Sequence, residues 1–370
     1  MSSSFPPLFP GMLLDAASRY AQDQAAAPQA GDAIAQMGWA CTLVPEAAGG
    51  VGGSLTDLAA IVEGLATHGV QLPVVERCAV VPLLLQAAAP EVARRWLQAL
   101  CEGDVAVAPL AALADPLDQP AVTARHLDIG FALTGLVRGT QLSADVSHAL
   151  VPALLDGAEP ALFLIERERL PAPAARYRSM EGREAVDVRL EDLALPEGAC
   201  LARGAAARAA LEQADNAALA LTLADTVAAL AALIQRTIAH LQERRQFGVA
   251  LASFQVLRHR TADMYVRFLG ARGLLLHALG EHQSAGGAGP ALRRTLRLAK
   301  LSLAETARAC AEAAIQMHGG MGMSEEVLAT RLAQRLLASE FRYGDRLYHA
   351  MHLHGHAAAT SQPLLSKSAP

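Results

Sequence analysis

The chain has 370 residues, 52% of them apolar and 18% charged, with a formal net charge of −5. That length supports a large core and two or three structural units, while the absence of a concentrated Lys/Arg block argues against a nucleic-acid surface. Five cysteines, Cys41, Cys78, Cys101, Cys200 and Cys310, are scattered without a CxxC pair, which argues against a disulfide framework or a zinc site. The first residues, Met-Ser-Ser-Ser-Phe-Pro-Pro, lack the basic and apolar regions of a signal peptide, so the cytoplasm is the expected compartment.

From Met12 to about Glu102 the text reads as helix. Leu58, Ile61 and Leu65, and then Val92, Trp96 and Leu100, recur at the spacing of one buried helix face. Between these runs, Val44-Pro-Glu-Ala-Ala-Gly-Gly-Val-Gly-Gly53 predicts a tight, irregular loop after Gly38-Trp39. From about Asp104 to Leu201 short β-type runs follow, at Phe131 to Val137, Ala161 to Ile165 and Val186 to Leu190, separated by Gly, Pro and Asp. Val186-Asp-Val-Arg-Leu190 alternates as a half-buried strand does, so a compact β-unit is expected.

From Ala205 the helical period returns, with Leu223, Val227, Leu230, Ile234, Ile238 and Leu241 on one stripe. The apolar run from Ala217 to Ile234 carries Thr222 and Asp225 and keeps helical periodicity, so it reads as a buried bundle helix, not a membrane span. Ser324 is placed to cap a last helix with Glu325 and Glu326 in its first turn. The expected division is residues 1–103 helical, 104–203 β, and 204–370 a helical bundle.

Two segments carry polar groups suited to a ligand. The guanidinium of Arg244 can grip a pyrophosphate through paired, charge-assisted hydrogen bonds, or it can be a solvated charge at a helix end. In Gln316-Met-His-Gly-Gly-Met-Gly322, the adjacent Gly319 and Gly320 let a ligand approach the backbone, and Gln316 can hydrogen-bond a phosphate or an adenine edge. The same glycines also suit a plain helix C-cap. His318 reads as a packing residue, and Asp263 as structural. His349, His352, His354 and His356 lack a carboxylate or cysteine at ligand spacing, and Gly355 interrupts their helix, so no metal site is expected.

The Arg-x-x-Phe-Gly text at residues 244–248, the Gln316–Gly322 segment and Pro-Glu-x-x-Gly-Gly-x-Gly at residues 45–52 together resemble the acyl-CoA dehydrogenase family. The resemblance implies a mainly α fold with a small β-domain: an N-terminal helical domain, a middle β-barrel-like domain and a C-terminal four-helix bundle. It further implies FAD as cofactor, α,β-dehydrogenation of an acyl-CoA thioester, and electron-transfer flavoprotein as acceptor. By the same resemblance, Arg244 and Phe247 meet a flavin held largely by a neighbouring subunit, and Gln255, Gln316, Gly319 and Gly320 lie at its adenine end.

The sequence departs from the family where chemistry is concerned. Dehydrogenation needs a carboxylate to take the α-proton, worth about 10²–10⁴-fold. Counting from Gly319-Gly320 brings Tyr343 to the position of that Glu and Asp345 to the Thr that follows it. The alternative family position, before Arg244, falls near Ala217, Ala218 and Leu219. The middle-unit motif Thr-Glu-x-x-x-Gly-Ser-Asp is replaced by Val107 to Asp115.

This pattern resembles the small, non-catalytic subunits of heteromeric bacterial acyl-CoA dehydrogenases, such as the small subunit of pimeloyl-CoA dehydrogenase, which act on dicarboxylate, steroid side-chain and similar bulky thioesters. It leads us to expect no catalytic residue in this chain and a second subunit in an α2β2 assembly. Two other readings stay open: a self-sufficient homo-oligomer using Glu340 or Asp345 as a shifted base, and a degenerate structural member without flavin.

Overall fold

The structure, a computed structural model, describes residues 5–26, 33–111, 117 and 119–360. Helices come first: α1 (Met12–Ala26), the short α2 (Ala33–Gln36), α3 (Leu55–Thr67), a π-turn at Val75–Val80 running into α4 (Val81–Leu85), and α5 (Pro90–Glu102). Ser54 and Asp57 form a capping box that starts α3. Helix α1 crosses α3 at Gly64, where an added Cβ would lie 2.7 Å from that of Ala17, so only glycine admits this approach. The Val44–Gly53 segment is one short helical turn, Glu46–Ala48, and a loop; with the preceding turn at Trp39–Cys41 it packs Trp39 and Val44 into the core.

An eight-stranded sheet follows: β1 (Val107–Pro109), β2 (Val122–His126), β3 (Phe131–Thr140), β4 (His148–Leu155), β5 (Glu159–Glu166), β6 (Ala175–Arg178), β7 (Glu184–Leu195) and β8 (Cys200–Arg203). Its order is β6-β7-β3-β2-β4-β5-β8, with β1 added in parallel to β4. The sheet has its own core around Phe131, Leu133, Phe163 and Val188. All three expected strand runs lie within β3, β5 and β7.

Helix α6 (Gly204–Glu243) is the axis of the rest. It is 40 residues long and apolar enough to cross a membrane by composition, yet 94% of its most apolar window is buried inside the fold. Around it pack α3, α7 (Gln255–Ser284), α8 (Pro290–His318) and α9 (Leu328–Ser339), and α10 (Arg346–Thr360) lies against α8. Between α6 and α7 a two-stranded ribbon, β9 (Arg245–Gln246) and β10 (Val249–Ala250), makes the turn. The fold is therefore mainly helical with a small sheet unit between two helical parts.

Two local expectations are corrected. Val92 is exposed, and α5 buries Ala93, Leu97 and Leu100 instead. Steps of four residues drift about 40° each around a helix, which carries Val92 about 80° from Leu100 and off the buried face. Ser324 does not cap a helix: it closes a short 3-10 turn at Gly319–Met323, and α9 begins at Leu328 without a side-chain cap. Because the chain turns again at Tyr343-Gly344, the C-terminal text makes two helices where one was expected.

Candidate functional site

The six residues singled out for a cofactor come together at one end of the bundle. Arg244 ends α6, and its backbone N–H still donates to the His240 carbonyl at 2.8 Å. Three contacts assemble the rest. The His240 and His318 rings stack with centroids 4.4 Å apart, which ties the end of α6 to the end of α8 beside Gln316 and Gly319. The Leu251 N–H donates to the Arg244 carbonyl at 2.8 Å and folds the ribbon back. Phe247 meets Phe254 edge to face at 6.2 Å, next to Gln255 at the first turn of α7.

All six are exposed, Phe247 at 90%. Phe247 also adopts a left-handed backbone (φ 54°), which is costly for a bulky side chain and holds the ring outward at the tip of the ribbon. Gly319, the C-cap of α8, has φ 60° and ψ −137°, a conformation that favours glycine. No atom lies within 4 Å of a Cβ added at Gly319 or Gly320, so this backbone is open to a ligand. Among the described residues Arg244 has no carboxylate partner.

His318 is buried, bonded through Nδ1 to the Ala314 carbonyl (2.9 Å), in keeping with a packing role. Burial, helped by the neighbouring His318 and Arg244, pushes the His240 pKa down, so the stack is held without a charge on that ring near neutral pH. Beside the edge, Ile238, Leu241, Ala252, Thr261 and Tyr265 line an open, largely apolar groove of about 280 Å³. An exposed guanidinium, open glycine backbone and an adjacent apolar groove fit one side of a dinucleotide.

The positions counted as candidate bases lie elsewhere, in the interior. Tyr343 is buried, and its hydroxyl donates to Glu76 Oε1 at 3.3 Å. Arg342, also buried, spans two carboxylates: Glu76 at 3.3 Å and Asp225 at 3.1 Å. Arg335 forms a bidentate pair with the same Asp225 and donates to the Val70 carbonyl at 2.8 Å. Arg183 pairs with Glu181 at 3.0 Å and donates to Gln71 at 2.9 Å.

Three arginines and three carboxylates thus form one neutral, buried cluster joining the N-terminal helices, the sheet unit and the bundle. Burial alone would raise the Asp225 pKa, but Arg335 and Arg342 outweigh it and keep the carboxylate ionised. Burial and then Glu76 push the Tyr343 hydroxyl well above its usual range. Lys300 donates to the Ser339 and Arg342 carbonyls at 2.5 and 2.8 Å, and burial, reinforced by Arg342, lowers its pKa to about 7.

Neither alternative base is free. Glu340 is buried between Arg346 (2.7 Å) and Arg308 (3.3 Å). Asp345 accepts the Tyr348 N–H at 2.8 Å and so caps α10. Ala217, Ala218 and Leu219 are buried and carry no ionisable group. In the middle unit, Val107–Pro109 is a wholly buried strand; the stretch from Ala112 to Asp115 lies outside the described residues.

Among the described residues no cluster of His, Cys, Asp or Glu is arranged for a metal ion. His349 and His352 instead hydrogen-bond backbone carbonyls of Tyr343 and Tyr348, and the His356 side chain lies outside the described residues. Sequence reasoning missed the ionic cluster. Its signal was a charged residue inside an apolar run, Glu76-Arg77 and Asp225 being the two instances.

Comparison with known proteins agrees with this architecture. The N-terminal domain family of acyl-CoA dehydrogenases matches residues 12–104, and the C-terminal domain family matches residues 202–358. The chain belongs to the acyl-CoA dehydrogenase family, whose cofactor is FAD. It is 29% identical over 291 residues to the acyl-CoA dehydrogenase IpdE2 of Mycobacterium tuberculosis, covering 79% of this chain and 74% of that protein.

Among solved structures, the ChsE4-ChsE5 complex from Mycobacterium tuberculosis superposes with a TM-score of 0.79 at 19% identity, over 97% of this chain and 100% of that one. The Tcur3481-Tcur3483 steroid ACAD gives 0.79 at 22% identity, over 94% and 97%. At these identities the two structures speak for the fold.

Proposed function

We propose that this chain is the subunit of a cytoplasmic, heteromeric acyl-CoA dehydrogenase that completes the FAD site of a catalytic partner and abstracts no proton itself. One observation carries the reading. The residues that reach outward, Arg244, Phe247, Gln255, Gln316, Gly319 and Gly320, form one exposed edge, while Tyr343, at the family's base position, lies in a buried ionic cluster.

Arg244 would hold the pyrophosphate, with its two parallel donors matched to phosphate oxygens and, among the described residues, no carboxylate ion-paired to it. Gln316 and the open backbone at Gly319 and Gly320 would take the adenine end together with Gln255, and Phe247 would cover the ligand from the ribbon tip. When bound, FAD would supply the acceptor for the hydride that leaves the β-carbon of the thioester. The α-proton would pass to a carboxylate of the partner, because Tyr343 is a phenol held protonated by burial beside Glu76.

Electron-transfer flavoprotein is the expected acceptor, and the partner a second acyl-CoA dehydrogenase chain in an α2β2 assembly. The similar folds of the ChsE4-ChsE5 complex and of the Tcur3481-Tcur3483 steroid ACAD favour this reading and a bulky acyl group. The engagement of Glu340 and Asp345 in an ion-pair bridge and a helix cap weighs against a self-sufficient homomer.

The test is co-expression with a candidate partner that carries the Glu and the middle-domain flavin motif. Purified alone, the chain is expected to be colourless and inert towards acyl-CoA thioesters; co-purified, the assembly is expected to hold one flavin per pair of chains. A yellow homomer that reduces an electron acceptor with an acyl-CoA would overturn the proposal.

A further inference from the structure

Cys41 and Cys101, 60 residues apart in the chain, meet where the N-terminal helices give way to the sheet unit. Cys41 ends the short turn Trp39–Cys41, and its Sγ lies 3.6 Å from the carbonyl oxygen of Cys101 in the last turn of α5. The two thiols are themselves in hydrogen-bonding contact. Both residues are partly exposed, whereas Cys78 and Cys310 are buried.

The backbone on each side is fixed. The Cys41 N–H donates to the Gly38 carbonyl at 3.2 Å, and the Cys41 carbonyl accepts from Val44 at 3.2 Å and Val51 at 3.0 Å. Trp39, buried and edge to face with Tyr20 at 5.6 Å, pins the turn. Beyond Cys101, Gly103 takes a left-handed conformation (φ 79°) and the Asp104 N–H returns to the Ala99 carbonyl at 3.0 Å, closing α5. Two thiols held together in this way react with one another far faster than with a third thiol arriving from solution.

We infer that Cys41 and Cys101 form a reversible redox site, at which a low-molecular-weight disulfide oxidises the two thiols to an intramolecular disulfide. The Cys41 thiolate attacks one sulfur of the small disulfide, which forms a mixed disulfide and releases one small thiolate. The Cys101 thiolate then attacks the Cys41 sulfur and releases the second. The two small thiolates take up the two protons that the cysteines lose, and the two electrons end on the small molecule, now two thiols.

Burial, reinforced by Cys41, pushes the Cys101 thiol up to about 12, so Cys101 attacks second. The share of that rise due to Cys41 disappears once the Cys41 sulfur is bound in the mixed disulfide. The new bond ties the base of the Val44–Gly53 loop to the end of α5, from which the chain enters β1. The inference stands independently of whether a flavin is shared at the cofactor edge.

The test treats the full-length chain with oxidised glutathione at about pH 8, where an ordinary thiol is partly ionised. After acid quenching, the remaining thiols are alkylated and the peptides mapped by mass spectrometry. The wild type is expected to yield Cys41 linked to Cys101 within one chain, with no glutathione retained on either, and dithiothreitol is expected to restore both thiols. Cys101→Ser is expected to keep one glutathione on Cys41, and Cys41→Ser to leave Cys101 unmodified. The oxidised wild type is expected to unfold in denaturant with an equilibrium constant lowered by at least about tenfold, because the bond closes a long loop in the unfolded chain.

A wild type that keeps both thiols free, or that holds glutathione on Cys41 as stably as Cys101→Ser does, would overturn the inference. So would a link that joins two chains or involves Cys200, or an oxidised form no more stable than the reduced one.

Discussion

The Tyr343 hydroxyl donates to Glu76 Oε1 across 3.3 Å, joining the residue at the family's base position to a carboxylate from the N-terminal helices. Tyr343 is held in a left-handed backbone (φ 55°) at the turn between α9 and α10. If it is structural, Tyr343→Phe should cost about 1 kcal/mol, the usual net worth of one buried hydrogen bond. Denaturant unfolding measures that cost, and turnover of the assembled enzyme should not change. A large fall in turnover at unchanged flavin content would give Tyr343 a chemical role that we deny it.

Removing Arg342 leaves Glu76 with only the longer cationic contact to Arg183 at 4.0 Å and takes away one of the two cations paired with Asp225. Breaking a buried ionic cluster from one side costs about 3–5 kcal/mol. Arg342→Met is therefore expected to destabilise the chain by that order, and Arg335→Met likewise. Because both arginines hold Asp225, each single variant leaves that carboxylate one cation and the double leaves it none, so the double variant should cost more than the sum, which a double-mutant cycle in denaturant would read. Strict additivity would mean that the two pairs act independently.

His349 confers an acid sensitivity. Burial, helped by Lys300 and Arg297, depresses its pKa from 6.5 to about 3. Between those values the unfolded chain binds a proton that the folded chain refuses, so stability is full above the unfolded pKa and declines as pH falls. The contribution lost between pH 7 and pH 5 is roughly 2 kcal/mol. Unfolding curves of His349→Gln against wild type at those two values should show the variant losing less. The window lies above the range in which Asp225, whose pKa is lowered, would begin to protonate.

Glu340 and Asp345 are distinguishable from bases by what their removal does. Asp345→Ala should cost about 1 kcal/mol through the lost cap of α10. Glu340→Gln should destabilise by loosening Arg308 and Arg346. In the assembled enzyme each should leave turnover per bound flavin within about twofold, where loss of a general base would cost about 10²-fold or more. Single-turnover flavin reduction makes the measurement.

The helix, sheet, helix layout was legible because β7 alternates in burial and the large apolar residues of α3 and α6 recur at helical spacing, although both helices are buried on nearly every side. The cofactor edge was legible because its polar residues sit at fixed offsets in an apolar text, although their meeting in space depends on the His240–His318 stack, which no local pattern announces. The ionic cluster was not legible: it joins residues 76, 181, 183, 225, 335 and 342, and charge pairing over such separations leaves no periodic trace. The missed boundary at Ser324 has a different cause. Serine followed by two glutamates suits a helix start, but the backbone there is already committed to the Gly319–Met323 turn.

Flavin content of the assembly tests the central claim most directly, that this chain lends an outward cationic edge to a cofactor seated mainly in its partner. We predict that the assembly carrying Arg244→Ala retains both subunits and the fold but loses most of its flavin, with the dissociation constant rising by at least about 100-fold, as expected when charge-assisted phosphate contacts are removed. Flavin bound as tightly in that variant as in the wild type would contradict the account.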